Sequence, residues 1–133
     1  MTQHETHLRG LYAAIESGVT GDGLRAFWHP DAEQIEFPSI MRPKGHRRSL
    51  EEMIAGSAVG LEIIRDQHYD VGTVIVQGEE VAVQLTWTAI VARDLGAITS
   101  GTKLVAHVAA FYVFRDGLIL RQSSYDCYEP IEP

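Results

Sequence analysis

The strongest constraint on the fold of this chain is a hairpin in its last third. An apolar run rich in β-branched and aromatic residues, Lys103 to Phe114, turns at Arg115-Asp116-Gly117 and returns as Leu118 to Tyr128. Asp-Gly between two such runs is a tight-turn signal, so the two segments should be adjacent antiparallel strands. In the returning strand Gln122, Ser124 and Asp126 recur at every second position. Strand residues two apart share one face, so an amide, a hydroxyl and a carboxylate should line one surface. Set among apolar neighbours, such a surface reads as a pocket wall.

The strand before this turn adds a second constraint. Ala106, Val108, Ala110 and Tyr112 fall on one side and Val105, His107, Ala109 and Phe111 on the other, so both sides are largely apolar. Helices can cover one of them. A second copy of the chain is the simplest cover for the other, and a homodimer through the outer sheet face is expected. Further upstream, Val81, Val83, Leu85 and Trp87 alternate with more polar residues and should face the core.

The first third is helical in pattern. Thr2 and Glu5 have capping-box spacing, and Leu8, Leu11, Tyr12, Ile15 and Val19 follow at the helical period, predicting a helix over about residues 3–17. Leu24 to Trp28 reads as a short second helix, stopped by His29-Pro30. Gln34 to Phe37 reads as a short strand ended by Pro38, followed by a loop holding Pro43 and Gly45. Ser49 and Glu52 open a third helix, with Leu50, Met53, Ile54 and Leu61 turned inward, and strands follow from residue 63. Helices followed by hairpin-linked strands mean α+β. The expected architecture is one domain over residues 1–133, a strongly curved, cone-shaped sheet, mixed but mainly antiparallel, wrapped around three N-terminal helices.

Charge and cysteine content narrow the setting. A formal charge of −7 argues against a nucleic-acid partner, because phosphate-backbone binding needs clustered Lys and Arg. The single cysteine, Cys127, has no partner for an internal disulfide. No leader and no membrane-length apolar run is apparent, so a soluble cytoplasmic protein without a membrane partner is expected.

The order of these elements carries a resemblance. A helix, a short helix ending in Phe27-Trp28-His29-Pro30-Asp31-Ala32, a strand ending at Pro38, a Gly45 loop and a helix are followed by long strands closing with Asp116-Gly117-Leu118-Ile119 and Ser124-Tyr125-Asp126. This resembles the nuclear transport factor 2-like superfamily over nearly the whole chain, and most of all its SnoaL-like branch. The superfamily includes ketosteroid isomerases, polyketide cyclases and limonene epoxide hydrolases beside members that only bind. The resemblance implies that the carboxylate base of the isomerases, placed just before a proline, falls on Phe37, and their second carboxylic acid on about Ala110. Tyr12 sits near their helix tyrosine. The acid/base aspartate of the cyclases and epoxide hydrolases falls on Ser124, with Asp126 two residues further along the same face.

Asp126 is therefore the first candidate for proton transfer, since an apolar cavity disfavours its charged form and suits it to proton exchange. Tyr12 could hydrogen-bond a ligand oxygen, and His107 is a third catalytic candidate, although parity puts it on the face opposite Val108 and Ala110. Trp28, Phe37, Trp87 and Tyr112 should form aromatic walls for a small apolar organic ligand, with Val108, Ala110, Gln122 and Ser124 beside them. His4 and His7 have metal-pair spacing but lack a third ligand nearby, and neither metal nor cofactor is expected. Lys44, Arg47 and Arg48 read as a solvated basic loop. The expected function is small-molecule binding, with cofactor-independent cyclisation, isomerisation, dehydration or hydration as the possible chemistry; the alternative is a non-catalytic ligand-binding or partner-docking module.

Overall fold

The computed structural model describes residues 1–131. Helix α1 (Gln3–Glu16) starts where the Glu5 N–H donates to Thr2 Oγ1 at 3.1 Å and buries Leu8, Leu11 and Tyr12. Gly18, with φ of +84°, takes the left-handed turn that lets the chain leave the helix. A 3-10 turn over Gly21–Phe27 follows, and strand β1 (Trp28–Glu36) begins at once. The second helix thus starts earlier than its sequence suggests, is 3-10 rather than α, and gives up Trp28 to the strand. Pro30 lies inside β1, in the stretch between Trp28 and Glu33 where the register with the neighbouring strand shifts. A residue without an N–H is tolerated there because the ladder is already interrupted.

Part of the expected loop is also a strand. β2 (His46–Ser49) pairs antiparallel with β1, and the Ser49–Glu52 capping box then opens α2 (Leu50–Ile63). Leu50 is buried, whereas Leu61 is 36% exposed rather than turned inward. Strands β3 (Ile64–Gln77), β4 (Glu80–Val91), β5 (Lys103–Arg115) and β6 (Leu118–Tyr128) complete one sheet of order β2-β1-β6-β5-β4-β3. The β1–β6 contact is parallel and all others are antiparallel, so the class is α+β with a mixed sheet. The helices do not all precede the strands, because α2 follows β1 and β2.

The β5–β6 turn forms as expected, with Asp116 and Gly117 at φ of +54° and +76°, the two left-handed positions of a tight hairpin. Inward side chains of β4, β5 and β6, among them Val81, Val83, Ala110, Tyr112, Phe114 and Ile119, form one core with α1 and Leu50. Between Phe114↔Ile119 and Val113↔Arg121 the register slips, which lets both Ile119 and Gln122 face inward. Among the described residues no helix covers the opposite face, where Phe111 is 50% and Tyr125 46% exposed. No helix among the described residues is long and apolar enough to cross a membrane.

Candidate functional site

A cavity of about 540 Å³ opens between α1, α2 and the inner face of the sheet. Its size lies in the range that holds a drug-sized organic molecule. Tyr12, Trp28, Trp87, Val108, Ala110, Tyr112, Gln122, Ser124 and Asp126, all expected at a site, line it. Leu11, Ile15, Ile63, Leu85 and Leu104 supply further apolar wall. Trp87 is held in place by its Nε1–H, which donates to Gln67 Oε1 at 3.1 Å.

Two candidates lie elsewhere. Phe37 is on the outer face, 37% exposed and stacked on Tyr125 with ring centroids 4.5 Å apart. Matching the proline put the wrong residue inside. In register with β6, Gln34 pairs with Gln122 and Glu36 with Ser124, so Glu36 is the carboxylate that β1 turns toward the cavity. His107 is also outside, its Nε2 2.7 Å from Glu129 Oε2 and its Nδ1 3.3 Å from Thr86 Oγ1. With both ring nitrogens engaged on the far side of the sheet, it cannot reach a ligand in the cavity. His4 and His7 are likewise occupied, the first by Glu79 at 2.9 Å and the second by the Phe27 carbonyl at 2.9 Å. Among the described residues no three His, Cys, Asp or Glu side chains gather as a metal site.

The cavity also holds charged groups, among them Arg48 from the segment whose sequence suggests a solvated basic loop. Arg48 Nη2 donates to Glu36 Oε1 at 2.8 Å, and both side chains are only 22% exposed. Burial pushes the Arg48 guanidinium below its ordinary value against the pull of Glu36, and it stays charged at neutral pH. Arg42 Nε stands 3.8 Å from the other Glu36 oxygen. Gly45 makes this cluster possible: a Cβ there would lie 2.6 Å from the Glu36 carbonyl, so only glycine lets the loop pass so close to β1 before β2. Arg47, next along β2, points the other way and pairs with Glu33.

Asp126 is held differently. Ser124 Oγ–H donates to its Oδ1. The phenols around the cavity are neutral groups. Burial raises Tyr12 to about 12, opposed by its hydrogen bond to Tyr112, and raises Tyr69 and Tyr112 above the ordinary phenol value. Tyr128 reaches about 12, through burial first and the Asp126 charge second. At neutral pH these four can hydrogen-bond a ligand but cannot act as bases. Proton acceptance therefore falls to Asp126 or Glu36, and Glu36 is tied to a guanidinium.

The match to a family of SnoaL-like domains runs over residues 8–122. The chain belongs to that family. Among solved structures, this SnoaL-like chain is similar to IdmH of Streptomyces antibioticus, a candidate polyketide cyclase, at TM-score 0.76 and 21% identity over 94% of this chain and 92% of that one. A candidate polyketide cyclase from Xanthomonas campestris matches at TM-score 0.75 and 19% identity, covering 92% and 89%. AclR of Streptomyces galilaeus, a candidate hydroxylase, matches at 0.74 and 18%, covering 92% and 77%. At these identities the likeness is one of fold, the nuclear transport factor 2-like fold. Comparison with curated proteins finds no match.

Proposed function

We propose that this SnoaL-like chain binds a small, flat, largely apolar organic molecule within its cone of sheet and helices and performs cofactor-independent acid/base chemistry on it. The observation that carries the reading is Asp126: a carboxylate that accepts from Ser124 and lines a cavity it shares with apolar side chains, neutral phenols and amides, and the Glu36–Arg48 pair. In this mechanism Asp126 takes a proton from the substrate and returns it, while Tyr12 or Gln122 stabilises a developing oxyanion. Trp28, Trp87 and Tyr112 position the ring. Cyclisation, isomerisation, dehydration and hydration all fit these parts.

Native mass spectrometry of the purified protein, followed by turnover assays on any molecule it retains, tests the reading. Asp126→Asn keeps the shape and removes the titratable group, so turnover should fall at least about 100-fold with ligand binding and melting temperature nearly unchanged. Undiminished turnover would move the chemistry to Glu36.

The second reading is a non-catalytic binding module. It is favoured by Glu36, whose pairing with Arg48 leaves one carboxylate instead of two free for proton transfer. Binding without turnover of any retained ligand would select it.

We also propose a cytoplasmic homodimer formed through the outer sheet face. Phe111, Tyr125 and Phe37 form a contiguous aromatic cluster there, with Tyr125 against Phe37 at 4.5 Å and Phe111 at 6.0 Å. Sedimentation at low micromolar concentration should give a dimer, which Phe111→Glu converts to monomer. A wild-type monomer would overturn this assignment.

A further inference from the structure

One row of polar side chains crosses the inner face of the sheet at right angles to the strands. Arg48 on β2 is the register partner of Gln34 on β1, Gln34 of Gln122 on β6, and Gln122 of Tyr112 on β5. Gln34 Nε2–H donates to Gln122 Oε1 at 2.7 Å, and Gln122 Nε2–H donates to the Tyr112 hydroxyl at 3.1 Å. The row ends on α1, where the Tyr112 and Tyr12 hydroxyls are 2.6 Å apart.

The row has a direction. Each amide gives its N–H toward Tyr112 and offers its carbonyl the other way, so one acceptor is left over at the β1 end. That atom is Gln34 Oε1, which is buried and has no hydrogen-bond partner among the described residues. Buried acceptors in folded proteins are satisfied in most cases, so an orphan in the wall of a cavity marks a place where something else donates. Reversing both amides would not remove the problem, because it would turn an NH2 group toward the guanidinium side of the row. Next along the row is Arg48. It lines the same cavity and has one hydrogen bond, from Nη2 to Glu36, leaving N–H groups to offer.

We propose that Gln34 and Arg48 form a hydroxyl-reading subsite: a small rotation of the Gln34 side chain brings its buried Oε1 to the cavity it lines, where a ligand O–H donates to it while the ligand oxygen accepts from the Arg48 guanidinium. The ligand class is therefore a flat apolar body with a free phenol, enol or alcohol group at this edge. An ether or methyl in the same place leaves the amide oxygen unpaired and sets a bulky group against it. The subsite rests on the pocket reading above and adds to it the chemistry of the ligand's polar end. Asp126 is on another row, in register with Val108, and is not part of it.

The test uses 2-naphthol and 2-methoxynaphthalene, which share a ring system and differ in the donor. Calorimetric titration of the wild-type protein should show 2-naphthol bound at least about tenfold more tightly, the cost of leaving a buried acceptor unpaired. Gln34→Met removes the acceptor at similar volume and should bring the two affinities within about twofold of each other, by loss of 2-naphthol binding. Arg48→Lys keeps the charge beside Glu36 but not the fork of donors and should narrow the preference as well. Retention of the full preference in a folded Gln34→Met protein overturns the subsite. Should that variant fail to fold, the wild-type ratio and Arg48→Lys still decide. Equal wild-type affinities would overturn the subsite and leave the pocket reading standing; binding of neither compound would overturn both.

Discussion

The two faces of the β5–β6 hairpin are built from alternate residues of the same strands, yet they are organised by different rules. Inside, Tyr112 and Gln122 are tied to each other and to Tyr12 and Gln34, and Ser124 is tied to Asp126. Polar groups there bond one another across neighbouring strands, which fixes their positions in the cavity wall. Outside, Tyr125 stacks on Phe37 and meets Phe111 edge to face, while His107 reaches Glu129 in solvent. Polar groups on that side need no partner, and it is the apolar ones that lack cover. One face thus carries specificity through hydrogen bonds and the other offers area.

The sharpest way to break this comparison is to truncate neighbours on opposite faces. Tyr112 is 1% exposed and Phe111 50%, so Tyr112→Ala should cost about 3–5 kcal/mol in urea denaturation at low protein concentration. Phe111→Ala should cost under about 1 kcal/mol in the same experiment. A similar loss for both would mean that the outer face is already buried under those conditions.

A pH titration sharpens the inner half. Tyr12 ionises at about 12 in the folded state against an ordinary value of 10.0. A raised phenol value means that folding favours the neutral form, so its contribution is complete below the ordinary value and is lost as pH climbs from there to the folded value. The loss should be about 2–3 kcal/mol for this group. Melting temperature followed together with tyrosinate absorbance checks it, and a flat stability profile across that interval would contradict the buried tyrosine pair.

The smallest effect is expected from His107→Gln. Its hydrogen bonds to Thr86 and Glu129 are exposed, so stability should change by no more than about 0.5 kcal/mol and ligand affinity in the cavity not at all. A measurable change in affinity would connect the two faces in a way their geometry does not.

Where these side chains point was partly legible in the chain. Gln122, Ser124 and Asp126 were assigned to one face by counting, and counting works there because the pleat has a period of two and the slip in register comes before Gln122. Counting failed at Phe37. The proline that follows it does not set its parity; parity in β1 is set by pairing with β6, a strand more than eighty residues away. The same distance hid Arg48. Read alone, it stands with Lys44 and Arg47 in a basic loop with Pro43 and Gly45; paired with β1 it becomes a cavity wall beside Glu36.

Local chemistry in the sequence was enough to determine the helix starts at Thr2 and Ser49, the Asp116-Gly117 turn, the inward and outward alternation of β4 to β6, and the family to which the elements belong. These depend on neighbours within a few residues, whose sterics and hydrogen bonds act whatever the rest of the chain does. Tertiary structure alone decided the β2–β1–β6 edge, the inward turn of Glu36, the Arg48 contact and the unpaired Gln34 oxygen. Each of these requires two distant segments to lie in register, and no local preference in either segment specifies its partner.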